Sequence, residues 1–224
     1  IKKCAWSLRQ AIFIVVLPHM EKLTLREYLA LLVALMWLGG HSYYFYQIVK
    51  RKISPTLSTW IIFSAATALA ISSYLVASHN NIVSGVLPAV DAFVTFVIMI
   101  AIAVCTYSGL HFKPFEKYYL IAAGFIALFW GITGNAFIAN LLVQILIIVG
   151  YLPTLQTLLS ARKNPESLPV WSFDLIAACI SLYPAIIGGD FLSSIYSLRA
   201  VIMILIVVIL MLRIIMKTKR QKIT

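Results

Sequence analysis

Three charged side chains sit inside long apolar runs: Asp91 in VLPAVDAFVTFVI, Asp174 in VWSFDLIAACI and Arg199 in SIYSLRAVIMILI. A charge at the centre of a bilayer costs about 2.5–3.5 kcal/mol or more, and such residues usually face a partner or a water-filled cavity. An acid and a base at similar depth could grip a polar or zwitterionic solute. They could equally form a structural ion pair, or Arg199 could snorkel to the outer interface. Asp174 follows Trp171 by three residues. There it can favour the start of a helix or stand at a gate, and a carboxyl in low dielectric can carry a proton during transport.

Amides and aromatics surround these charges in the sequence. Asn140 and Gln144 are four residues apart and therefore share a helix face. They could line a solute path or act as interhelical hydrogen-bond partners. His41 follows Gly39 and Gly40 and reads as a packing residue or a proton relay. Trp60 and Trp171 open apolar segments, as interface residues commonly do, and with Tyr183 they could shape the walls of a site. Pro88 and Pro184 lie within predicted helices, where proline removes a backbone hydrogen bond and favours a kink, and Pro153 loosens the backbone of its segment. Pro153 and Pro184, with Gln47, Gln156, Trp60, Trp171 and Asp174, are the candidate gate or hinge residues.

Composition identifies what must position these groups. The 224 residues are 62% hydrophobic and 11% charged, whereas a soluble domain is about 45–50% apolar and about 25% charged. Polar residues are too few to cover such a chain in water, so lipid is the expected solvent. The net charge of +11 would suggest nucleic acid in a soluble protein. Here the basic residues cluster at the ends of apolar runs, and no nucleic-acid partner is expected. The cysteines Cys4, Cys105 and Cys179 have no metal spacing, and the histidines His19, His41, His79 and His111 are scattered. No phosphate loop or catalytic order stands out, so neither an enzyme nor a cofactor is expected.

A spanning helix needs about 20 mostly apolar residues. On that basis seven spans are predicted at 27–49, 55–78, 82–108, 115–133, 135–160, 168–188 and 191–216. Residues 1–26 contain the apolar stretch AIFIVVLP, too short to span, and read as an interfacial segment. Lys50, Arg51 and Lys52, then Lys113 and Lys117, then Arg162 and Lys163 occupy alternate connections. The tail at 217–224 adds Lys217, Lys219, Arg220 and Lys222, while the intervening turns HNN, TGN and GGD carry no Lys or Arg. The positive-inside rule then places the N-terminus outside and a basic tail in the cytosol. Lys2, Lys3, Arg9, Lys22 and Arg26 oppose that orientation and are outvoted. The expected location is a multi-pass integral position in a bacterial inner (plasma) membrane, with lipid as a partner and room for an oligomer.

The chain also repeats itself loosely. YYFYQIVKRKISPTLSTW (43–60) and GYLPTLQTLLSARKNPESLPVW (150–171) each carry a glutamine, a basic loop containing proline and a tryptophan opening the next segment. Gln47 matches Gln156, Trp60 matches Trp171, and the following helices reach Tyr74 and Tyr183. Two three-helix repeats, 27–108 and 135–216, would flank a linker at 115–133. One extra helix restores the orientation that an odd number of crossings inverts, so the repeats run parallel.

This 3+1+3 pattern, with Pro153-Thr154-Leu155-Gln156 and Tyr46-Gln47 before the basic loops, resembles the PQ-loop superfamily over about residues 27–216. That group includes the SWEET sugar transporters, lysosomal cystine and cationic amino-acid exporters and, more distantly, KDEL receptors and PnuC-type vitamin transporters. The first repeat lacks the proline. The resemblance implies an all-α membrane fold of two parallel three-helix bundles joined by a linker, rocking about a central site. At the places of Asp91 and Arg199 the SWEET transporters carry an asparagine pair facing the sugar. This chain departs there with an acid and a base.

The expected function is an alternating-access transporter, a uniporter or one coupled to a proton or other ion. Its solute would be small and polar or zwitterionic, such as an amino acid, vitamin precursor or sugar. Asp91, Arg199, Asn140, Gln144 and Tyr183 would bind it. The alternative is a non-transporting receptor or interaction protein on the same fold.

Overall fold

The computed structural model describes residues 23–51, 57–105, 114–161, 164 and 166–220. Among them the chain is helical throughout, with no strand. The helices are α1 (Leu25–Val49), α2 (Leu57–Ala77), α3 (Val86–Cys105), α4 (Pro114–Thr133), α5 (Ala136–Gly150), α6 (Leu152–Ser160), α7 (Leu168–Ile187) and α8 (Phe191–Arg220). Taking α5 and α6 as one segment, seven are long and apolar enough to cross a membrane. The protein is therefore read as multi-pass and integral to a membrane.

Local chemistry sets the helix ends. Thr24 and Glu27 form a reciprocal capping box at the start of α1, with Glu27 Oε2 accepting from Thr24 N at 2.7 Å. Asn135 Oδ1 accepts from Ile138 N at 3.0 Å to start α5. Gly134 before it has φ +65°, which closes the α4–α5 turn in few residues. Gly189 does the same at φ +63° between α7 and α8. Asp190 then caps α8 by accepting from Ser193 N at 3.0 Å.

Three predicted boundaries differ in instructive ways. The third span begins at Val86, because Asn81 Oδ1 accepts from Ser84 N at 3.3 Å and holds 82–85 as a turn. Pro88 therefore falls in the first helical turn, where its missing N–H costs nothing. The fifth span is two helices. Tyr151 N turns back to Ile148 O at 3.1 Å, and Pro153 starts α6 instead of bending α5. The last helix runs to Arg220, beyond the apolar stretch, since Lys and Arg are good helix formers and suit a helix C-terminus. The segment 1–22 and the basic residues Lys52, Lys113, Arg162, Lys163 and Lys222 lie outside the described residues.

Helix α3 packs on both α1 and α2, and α8 packs on α5, α6 and α7. The two groups meet mainly where α1 lies on α7 and α2 lies on α5, while α4 leans on α2 and α5. Helix α8 shows how lipid shapes the surface. Tyr196, Ala200, Ile204, Val207, Met211 and Ile214 are buried in one stripe, while Leu198, Ile202, Leu205 and Ile209 are exposed on the other side. A helix apolar on both faces, with one face uncovered, has lipid as its natural solvent.

Candidate functional site

The polar groups of the bundle interior form layers along its axis. Helices rise about 1.5 Å per residue, so each position can be placed from its helix end.

The layer nearest the HNN and GGD turns ties four helices together. The Arg26 guanidinium donates to Asn81 Oδ1 at 3.0 Å and to Ser84 Oγ. The Tyr74 hydroxyl is shared between Asn81 O at 2.7 Å and Asp190 Oδ2 at 2.6 Å. Ser84 Oγ donates to Pro184 O, and Ser193 Oγ donates to Ser84 O. Pro184 is thus interior to α7, and its own carbonyl faces this network. Gly85 permits the fit, because a Cβ there would run into the Tyr74 ring.

Next comes the charged layer. Asp91 stands two turns into α3, and Tyr196 and Arg199 are one turn apart on α8. The Tyr196 hydroxyl donates to Asp91 Oδ2 at 2.6 Å, and the Arg199 guanidinium carbon lies 4.4 Å above the Tyr196 ring centre. Asp91 and Arg199 form no ion pair with each other; Tyr196 stands between them. Arg199 is 6% exposed, so it is held inside the bundle and does not snorkel.

Its Nε–H donates to Gln144 Oε1 at 2.9 Å. Gln144 Nε2 donates to Asn140 Oδ1 at 3.2 Å, and Asn140 Nδ2 donates to Ala70 O at 2.8 Å and Ser73 Oγ at 3.0 Å. The chemistry fixes both amides. A backbone carbonyl can only accept, so Asn140 must present nitrogen to Ala70, and each later group follows in sequence. This donor chain runs from α8 through α5 to α2, with Asn140 and Gln144 both buried.

The third layer joins the two groups of helices where α1 meets α7. His41 Nδ1 lies 3.0 Å from Trp37 O and 3.7 Å from Asp174 Oδ1. The carbonyl accepts, so Nδ1 carries a proton. Asp174 is 6% exposed, and its Oδ1 has no hydrogen-bond partner. Gly40 lies against this carboxylate, with room for a Cβ 3.6 Å from Oδ1. Tyr151, at the α5–α6 break, interacts electrostatically with Arg199, Asp91 and Asp174.

The last layer is aromatic. Ring contacts run from Tyr44 to Trp60 at 5.5 Å, Trp60 to Phe63 at 6.4 Å, Phe63 to Tyr151 at 6.2 Å and Tyr151 to Trp171 at 6.3 Å. Trp171 Nε1 donates to Glu166 Oε2 at 3.3 Å. Glu166 lies in the connection before α7. Burial pushes its carboxyl above its ordinary range, and the Trp171 N–H works the other way.

The residues singled out from sequence therefore separate. Asp91, Arg199, Asn140 and Gln144 are joined by short hydrogen bonds and Tyr196. Trp60 and Trp171 belong to the aromatic row, and Asp174 faces His41. Gln47 is half-buried, with its carbonyl oxygen enclosed and without a hydrogen-bond partner. Tyr183 is 40% exposed and Gln156 is exposed. Sequence reasoning gave no site role to Tyr196, Tyr151, Tyr74 or Arg26. A tyrosine one turn before Arg199 was a legible signal; the other three are brought in by tertiary packing.

Fold and site define a multi-pass, all-helical protein with an internal charged centre. Comparison with protein-family models, curated proteins and solved structures gives no significant match, so no relative supplies a substrate.

Proposed function

We propose that the chain is an alternating-access transporter for a small polar or zwitterionic solute, such as an amino acid, vitamin precursor or sugar. The observation that carries this reading is the un-neutralised pair at the centre. Asp91 and Arg199 are buried or half-buried opposite charges held apart by Tyr196. Charges that do not cancel each other inside a membrane are expensive, and a solute with a cationic and an anionic group would satisfy both. The 3+1+3 reading is supported by helix neighbours: the third helix of each group packs on the other two, and α1 and α2 face α7 and α5 across the junction. On this reading α4 is the linker, and the 27–108 and 135–216 bundles rock about the charged layer. The basic residues at one end of the bundle support a cytosolic C-terminus.

The test is uptake into proteoliposomes. A thermal-shift screen of amino acids, nucleosides and sugars first finds the solute, since a ligand of the native state raises apparent stability. Transport is expected to fall at least tenfold in Asp91→Asn and Arg199→Gln, a loss of about 1.4 kcal/mol or more in binding. Saturable binding without flux would replace this reading with the receptor. Stabilisation by uncharged sugars alone would overturn the role of the charges.

A further inference from the structure

We propose that His41 and Asp174 form a proton-binding site that the protein loads from one side of the membrane and unloads to the other, coupling a proton to the solute held at Asp91 and Arg199. The inference rests on the transporter reading above and adds the identity of the coupling ion.

Four features of the pair carry it. First, His41 is on α1 and Asp174 on α7, and α1–α7 is one of the two main contacts between the helix groups. A rocking motion must change that contact, so the pair's access to water changes with it. Second, Asp174 is buried and its Oδ1 lacks a hydrogen-bond partner. A buried carboxylate in that condition is costly, and taking up a proton is the usual relief. Third, His41 attracts the carboxylate without hydrogen-bonding it. The 3.7 Å separation is too long for a hydrogen bond, and the Nδ1 proton is already directed at Trp37 O. Fourth, the site communicates with the charged layer, because Asp174 and Asp91 interact electrostatically. Two carboxylates repel when both are ionised, so a solute that changes the charge around Asp91 changes proton occupancy at Asp174, and the converse follows by linkage.

The groups facing Asp174 are His41 from α1, Asp91 from α3, Arg199 from α8 through their common neighbour Tyr151, and Tyr151 itself. The step balances simply. A proton passes from hydronium on one side to the Asp174 carboxylate, and from the neutral carboxyl to water on the other.

Infrared difference spectra of purified protein between roughly pH 5 and 8, the range over which histidine changes charge, read the site directly. A protonated-carboxyl band that titrates in the wild type is expected to vanish in Asp174→Asn and to shift its midpoint in His41→Gln. Read in a Glu166→Gln background, so that this second buried carboxyl adds no band of its own, no titrating band, or one that Asp174→Asn leaves unchanged, overturns the proton site whatever the protein transports. In proteoliposomes, a pH gradient is expected to change solute flux severalfold in the wild type. Asp174→Asn should lose that response, and Asp174→Glu should restore it. Flux indifferent to the gradient overturns the inference and leaves the transporter intact. A band that titrates in protein without any flux overturns the coupling and the transporter reading together. If Asp174→Asn fails to fold, the His41→Gln midpoint decides.

Discussion

At the end of the bundle carrying the 79–81 and 188–190 turns, Arg26, Tyr74, Asn81, Ser84 and Asp190 lock four helices with directional hydrogen bonds. At the basic end, Tyr44, Trp60, Phe63, Tyr151 and Trp171 meet through ring faces and edges. The difference is one of tolerance. A hydrogen bond weakens steeply when its angle or distance changes. Aromatic pairs are stabilising by about 0.5–1.5 kcal/mol over a range of offset and tilted geometries. The hydrogen-bonded end therefore holds one arrangement, and the aromatic end can slide. A carrier whose halves rock would yield first at its aromatic end, and would need to break several hydrogen bonds to yield at the other.

The largest expected effect comes from forcing the hydrogen-bonded end. Gly85→Val would drive its side chain into the Tyr74 ring. A loss of about 1–3 kcal/mol is expected from overpacking, read as a lower melting temperature in detergent. An unchanged melting temperature would mean that this end is not the rigid one.

Tyr74→Phe is milder, because it removes one hydroxyl and leaves Asp190 Oδ2 and Asn81 O short of a donor. About 1–2 kcal/mol is expected, with faster thiol labelling of a Ser193→Cys reporter. At the aromatic end, Trp60→Phe and Trp171→Phe keep ring contacts and should each cost under about 1.5 kcal/mol. If either cost more than Tyr74→Phe in the same melt, the ranking of the two ends would be reversed.

Gly40→Ala sharpens the contrast from the middle of α1. The added Cβ would meet only ordinary contacts, at 3.6 Å from Asp174 Oδ1 and 3.7 Å from Phe173 Cβ. Glycine in a helix interior costs roughly 0.5–1 kcal/mol relative to alanine. A small rise in melting temperature is therefore expected, opposite in sign to Gly85→Val.

The smallest effect is at Glu166, and it depends on pH. Burial raises the proton affinity of this carboxyl in the folded protein. Its contribution to stability is therefore fully present below the ordinary carboxylate range and is lost as pH rises through the raised value. Melting curves should show a slight decline over that window that flattens in Glu166→Gln, with the fluorescence of Trp171 following the same course. A decline of equal size in the variant would assign it to another group.

Much of the scaffold was legible because its signals are local. Seven apolar stretches and the TGN and GGD turns each report on neighbouring residues, and lipid demands long continuous helices. The break between α5 and α6 was half legible. Pro153 announced a disturbance, but whether it bends one helix or begins another depends on how Tyr151 N finds Ile148 O. Within the site, the spacing of Asn140 and Gln144 foretold a shared face, and the rarity of membrane charge marked Asp91, Asp174 and Arg199. The partners of those charges were not legible. Tyr196 reaches Asp91 across 105 positions, and Tyr74 reaches Asp190 across 116. His41 and Asp174 meet only because α1 packs on α7.

By itself, then, the sequence determined which seven segments are long and apolar enough to cross a membrane and which side chains would be costly to bury there. These follow from composition and from periodicity along the chain. Only the tertiary structure decided that Asp91 and Arg199 are kept apart by a tyrosine, that the amides form one directed chain into α2 and that Asp174 is left facing a histidine. Pairings between distant helices depend on which faces pack together, and in lipid that choice turns on shape and hydrogen bonding, because nearly every face is apolar.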